Sequence, residues 1–103
     1  MESEFVEITT TGALPAGRMK AFKVGERTIA LCHTAAGFFA VDNTCPHRGG
    51  PLAEGDLLGN EIVCPWHLWG FDAVTGVCNG NPEITIVTHE VRIDDDRVLV
   101  KLR

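Results

Sequence analysis

The chain has 103 residues, 45% of them hydrophobic and 22% charged, with a formal net charge of −5. That length fits one domain whose core hides roughly 60 to 70% of the unfolded surface, and the composition is that of a globular chain, not a disordered one. Lysines and arginines are scattered singly in an acidic whole, which argues against nucleic acid and favours a basic docking partner.

At the start, MESEFVEITT has neither the basic residues nor the apolar run of a secretory signal. No later run approaches eighteen apolar residues, so no membrane span is expected, and the expected compartment is the cytoplasm. Glu4 to Ile8 alternates acidic and apolar residues and then meets the turn-rich TTTGALPAG. Arg18 to Val24, Arg27 to Leu31 and Phe38 to Val41 read as strands, with Gly25-Glu26 and Ala36-Gly37 as the turns between them. Leu52 to Gly55 has room for one turn of helix. Asp56 to Leu58 and Glu61 to Cys64 flank Gly59-Asn60, a two-residue hairpin loop by type. Val91 to Ile93 and Val98 to Val100 flank Asp94, Asp95 and Asp96, a hairpin whose turn is built from aspartates. No window of eleven residues carries helical periodicity without an intervening Gly or Pro. The expected fold is all-β, of small sheets or a partial barrel, interrupted by two long loops.

Those loops carry the chemistry. The first holds Cys45-x-His47 and the second Cys64-x2-His67, with sixteen residues between His47 and Cys64. Thiolate and imidazole both bind iron and zinc well, and in the cytoplasm four cysteines point to metal or redox work before disulfides. Pro46 and Pro65 follow the cysteines and stiffen each loop. Gly49 and Gly50 let the chain turn closely round a bulky group. A zinc finger usually places two cysteines on one knuckle, whereas here each knuckle is mixed. One zinc would need both knuckles to converge on one atom. Two irons bridged by sulfides would take one ligand from each loop, which puts two cysteines on one iron and two histidines on the other.

CPHRGGPLAEG and CPWHLWGFDAVTG resemble the two motifs of the Rieske-type [2Fe–2S] proteins, and the flanking strands and length are similar to a stand-alone Rieske ferredoxin. The resemblance implies a single domain over 1–103: a β-sandwich base with a cluster-binding subdomain of two loops, at about 44–55 and 63–76. It implies that Cys45 and Cys64 hold the inner iron of one [2Fe–2S] cluster, and that His47 and His67 hold the outer iron with their free ring nitrogens at the surface. Those imidazoles would gain protons on reduction, coupling potential to pH. Pro82 falls where the family often has a proline-bearing loop over the cluster. The Rieske subunits of respiratory and photosynthetic complexes carry a further cysteine in each loop, joined as a disulfide. Gly50 and Trp66 occupy those positions here, which places the resemblance with the ferredoxin branch. After His67 come Leu68, Trp69 and Gly70, without a hydroxyl, and the chain has no Tyr. Fewer donors to the sulfurs imply a potential near the low end of the roughly −150 to +300 mV that such centres span in general.

The remaining candidates read more simply. Cys32, in TIALCH, is expected to be a small hydrophobe in a strand, and Cys78, in TGVCNG, core or loop filler. His33 and His89 are expected at strand ends or the surface. Trp69 is expected to pack, and Trp66 either to pack or to join Leu68 and the prolines in an apolar collar where a partner docks. The three aspartates lack the spacing of a calcium loop. No nucleophile–base arrangement or phosphate-cradling glycine loop is present. The role the resemblance to Rieske ferredoxins implies is a non-catalytic, monomeric electron carrier between a reductase and a terminal oxygenase such as a ring-hydroxylating dioxygenase, docking near His47, His67 and Trp66. The alternatives are the small subunit of an assimilatory nitrite reductase and, more remotely, a zinc-stapled binding module.

Overall fold

The computed structural model describes residues 5–46, 49–66 and 69–103. The strands are β1 (Val6–Thr10), β2 (Arg18–Val24), β3 (Arg27–Thr34), β4 (Gly37–Asp42), β5 (Asp56–Leu58), β6 (Glu61–Val63), β7 (Gly70–Asp72), β8 (Thr88–Asp94) and β9 (Arg97–Lys101). Six of them form one antiparallel sheet in the order β1-β9-β8-β4-β3-β2, and β5-β6-β7 form a second. The all-β expectation holds. Glu4, where the first alternation begins, lies outside the described residues, and β1 runs on to Thr10.

β3 positions everything else. Ile29, Ala30, Leu31 and Cys32 are all fully buried. Successive side chains of a strand point to opposite faces, so a run buried throughout must be covered on both. Ile29 and Leu31 face a base core with Val24, Ala40, Val98 and Val100. Ala30 and Cys32 face a second core with Cys45, Leu52, Cys64 and Phe71. β4 divides the same way, with Phe38 and Ala40 on the base side and Phe39 and Val41 on the other. Ile8 of β1 and Phe22 of β2, the two edges of the larger sheet, pack on the same base core, so the sheet curls round it. Each large side chain fully buried here contributes about 1.5–3 kcal/mol.

β4 and β8 are neighbours, paired at Ala40↔His89 and Val41↔Thr88, with Asp42 N–H donating to the Val87 carbonyl at 2.9 Å. The segment 43–87 between them carries both cysteine loops and the small sheet. Its first loop ends in the 3-10 turn Leu52–Glu54, which answers the expected helical turn. Gly55 then passes so close to β6 that a Cβ there would run into the Val63 carbonyl oxygen. The second loop is shorter than the expected 63–76, because Gly70–Asp72 pairs with β6 as β7. Among the described residues no helix is long and apolar enough to cross a membrane.

Candidate metal centre

Cys45 and Cys64 occupy the same place in two hairpin tips of equal length. In the first, Thr44 bridges Pro51, Cys45 N–H donates to the Gly50 carbonyl at 2.9 Å, and Gly49 N–H donates to the Cys45 carbonyl at 2.7 Å. In the second, Val63 pairs with Gly70 and Cys64 N–H donates to the Trp69 carbonyl at 2.8 Å. In both tips the cysteine amide closes on the carbonyl five residues ahead, and a proline follows the cysteine. Pro51 sits at a non-hydrogen-bonded position of its bridge, so its missing N–H removes nothing from the stem.

The tips meet at Gly50. A Cβ built there would stand 3.1 Å from Cys64 Sγ and 3.1 Å from the indole of Trp66. Trp66 is 62% exposed, whereas Cys45 and Cys64 are 1% and 0% exposed. Two thiols are thus buried at the ends of converging loops, beside a position that admits no side chain without crowding a sulfur. That arrangement fits a thiolate-held metal group. His47 and His67, the expected imidazole ligands, lie outside the described residues, as do Arg48 and Leu68.

A third segment backs the tips. Cys78 bridges Phe71, its N–H donates to the Ile84 carbonyl, and Asn79 N–H donates to the Gly70 carbonyl. Cys78 is 1% exposed and, like Trp69, Ile84 and Ile86, belongs to the core that holds both cysteine loops. Pro82 is exposed, in the turn closed by Ile84 N–H on the Asn81 carbonyl. Cys32 lies across the same core, and burial pushes its thiol up to about 12, so it rests there as a protonated, small apolar side chain. Neither Cys32 nor Cys78 is in a disulfide.

The other histidines are structural. His33 stacks on Phe38 with centroids 3.9 Å apart, and its Nδ1–H donates to the Leu14 carbonyl at 2.7 Å. His89 sits second in β8 but is not at the surface: its side chain is fully buried. Its Nδ1 accepts from Arg103 N–H at 3.0 Å, which leaves Nε2 to donate to Asp42 Oδ1 at 2.8 Å. Burial holds its pKa below the ordinary histidine value, against the opposing pull of Asp42. The aspartate turn is as expected, with Asp95 at φ 58 and Asp94 paired to Arg97 at 2.6 Å. Sequence reasoning overlooked Asn43. Its backbone and side chain meet three partners around the first loop; an asparagine two residues before a candidate ligand was the available signal.

Residues 4–91 match the family model of the Rieske [2Fe-2S] domain. The chain is 32% identical over 103 residues to the ferredoxin component of the naphthalene 1,2-dioxygenase/salicylate 5-hydroxylase systems of Ralstonia sp., covering 99% of each. It is 33% identical over 97 residues to the ferredoxin component of biphenyl 2,3-dioxygenase of Rhodococcus jostii (strain RHA1), covering 93% of this chain and 91% of the relative. Among solved structures, the ferredoxin of carbazole 1,9a-dioxygenase from Nocardioides aromaticivorans IC177 superposes with a TM-score of 0.91 at 27% identity, over 98% of this chain and 100% of that one. A Mycobacterium tuberculosis chain, provisionally described as an NADH-dependent nitrite reductase small subunit, gives 0.90 at 18% identity over 100% and 98% of the two chains, a likeness of fold alone.

Proposed function

The chain belongs to the Rieske [2Fe-2S] domain family, and from that premise we propose that Cys45, His47, Cys64 and His67 hold its one cluster, the thiolates on one iron and the imidazoles on the other. The protein is an electron carrier: it takes electrons from a reductase and passes them to a terminal oxygenase such as a ring-hydroxylating dioxygenase, without catalysing a reaction itself. When bound, the cluster supplies a one-electron couple. The chain's residues supply the rest. Cys45 and Cys64 offer their sulfurs from inside a buried apolar core. Pro46 and Pro65 stiffen the tips. Trp66, exposed beside the buried Cys64, gives a partner an apolar surface.

One observation carries the ligand assignment: two hairpin tips of equal length bring Cys45 and Cys64 into one core and meet at Gly50. The nitrite reductase reading rests on a likeness of fold at 18% identity, against relatives at 32 and 33% that are dioxygenase ferredoxin components. We place the protein in the cytoplasm as a single 1–103 domain acting as a monomer; the buried, unbridged thiols of Cys32 and Cys78 suit a reducing compartment.

The test is anaerobic purification followed by iron and acid-labile sulfide assays, an electron paramagnetic resonance spectrum after dithionite, and stopped-flow oxidation by a ring-hydroxylating oxygenase. The expected result is two irons and two sulfides per chain, a mean g-value below the free-electron value, and reoxidation by the oxygenase. Zinc without sulfide in repleted protein removes the reading. Tight co-purification with a large nitrite reductase subunit transfers the chain to that system.

A further inference from the structure

The two cysteine hairpins have equal tips but unequal stems. Below Cys64 the stem is a ladder that continues through Val63↔Gly70, Ile62↔Phe71 and Glu61↔Asp72. Below Cys45 it stops after the bridge Thr44↔Pro51, because the returning chain coils into the turn Leu52–Glu54. The first N–H groups of such a turn have no partner within it, and Pro51, at its cap position, provides no side-chain hydrogen bond.

Asn43 takes both of those N–H groups from outside the turn. Its carbonyl oxygen accepts from Leu52 N–H at 2.7 Å, and its Oδ1 accepts from Ala53 N–H at 2.8 Å. Its own N–H donates to the Thr28 carbonyl in β3 at 3.1 Å. One residue therefore ties the outgoing strand of the first loop, the returning strand and the wall of the base together. Leu52 is fully buried and Ala53 packs on the core of Cys45 and Cys64. The Ala53 donor is partly buried, so leaving it unmatched forfeits the bond and part of its solvation.

We propose that Asn43 is a positioning residue for electron transfer: by capping the Leu52–Glu54 turn it fixes the base of the Cys45 hairpin, and so the place of the Cys45 thiolate relative to Cys64. The inference rests on the reading of Cys45 as a cluster ligand. A ligand loop of fixed shape changes little between redox states; a loop freed at its base lets its thiolate drift and exposes the group it holds.

The experiment compares wild type, Asn43→Ala and Asn43→Asp. Asp keeps an acceptor oxygen where Oδ1 stands. For each the readouts are iron and sulfide content, reduction potential, g-values, the rate of cluster loss to a chelator, and hydrogen exchange at the Ala53 amide. In Asn43→Ala, Ala53 exchange and cluster loss should each quicken by about five- to tenfold, the worth of one hydrogen bond, and the potential and g-values should shift. Asn43→Asp should recover both rates and move the potential downward, because its added charge disfavours the reduced site. An Asn43→Ala protein with wild-type potential, g-values and cluster lifetime overturns the proposal. Should Asn43→Ala fail to fold, an Asn43→Asp protein that loses its cluster to the chelator faster than wild type overturns the proposal as well. Wild type without two irons and two sulfides overturns the ligand reading instead, and the proposal with it.

Discussion

Gly50 lies directly under Trp66: a Cβ on the glycine would stand 3.1 Å from two atoms of the indole. Positions from different loops are therefore within covalent reach of each other. The double substitution Gly50→Cys with Trp66→Cys should form a disulfide on mild oxidation, since a Cβ at Gly50 would stand 3.1 Å from Trp66 Cγ, the place the second sulfur would take. Closing a loop of this length should stabilise the oxidised form by about 3 kcal/mol. A mass loss of two hydrogens and a raised urea midpoint, both reversed by reductant, are the expected readings. Thiols that stay titratable after oxidation would show that the tips do not meet.

Gly55 and Gly12 make opposite forecasts. A methyl group on Gly55 runs into the Val63 carbonyl, which is backbone and cannot rotate away. Gly55→Ala should cost about 3 kcal/mol or more. Gly12 faces open space, so Gly12→Ala should stay within about 0.5 kcal/mol of wild type. Denaturant unfolding of the two variants decides it, and equal midpoints would contradict the close passage of Gly55 over β6.

His89 makes stability depend on pH. Its folded pKa is lowered by burial, so between that value and the ordinary histidine pKa of about 6.5 the unfolded chain binds a proton that the folded chain refuses. Stability is then level above about pH 6.5 and declines as pH falls through that window, by at most about 1.4 kcal/mol per pH unit for this group. Protonation would also turn Nδ1 from an acceptor into a donor facing Arg103 N–H. His89→Gln should flatten the difference between urea midpoints at pH 7.5 and 5.5. A difference as large as in wild type would assign the slope elsewhere.

Cys32 should be inert in the folded protein. With its thiol pushed up to about 12 and no exposed surface, it should resist iodoacetamide at pH 8 until the chain unfolds. Peptide mass mapping before and after denaturation measures this. Native labelling at Cys32 would mean that β3 opens on the cluster side.

The loaded protein should titrate in the lower half of the Rieske range, below about +75 mV. The chain has no tyrosine, and positions 68–70 are Leu, Trp and Gly, so hydroxyl donors to the sulfurs are scarce. Voltammetry settles the value, and a midpoint above that figure would require donors from another part of the fold.

Much of this was legible in the sequence where the signal is local. Gly59-Asn60 and the aspartate run marked their hairpins because left-handed backbone belongs to few residues, and β2 was bounded by its turns. What depends on pairing was not legible. β7 is Gly-Phe-Asp, too short to carry a pattern, and it is a strand only because Ile62 and its neighbours lie alongside. β3 overran its expected end at Leu31 by three residues because β4 pairs with it through Thr34. His89 looked like a surface residue because nothing in its neighbourhood announced Asp42, forty-seven positions away. The four proposed ligands were legible from type and spacing; the role of Asn43 was not, since its side chain reaches ten residues ahead to Ala53 and only the fold shows which turn it caps.

The partnership of β4 and β8 across the segment 43–87 has a kinetic meaning. β2, β3 and β4 can zip together through two tight turns, as can β8 and β9. Joining the halves requires the ends of a forty-five-residue excursion to meet first, and closing a flexible chain of that length costs roughly 3 kcal/mol more than closing a two-residue turn. The joint between β4 and β8 therefore forms after the local hairpins on either side of it, and refolding slows at the step that brings Val41 to Thr88.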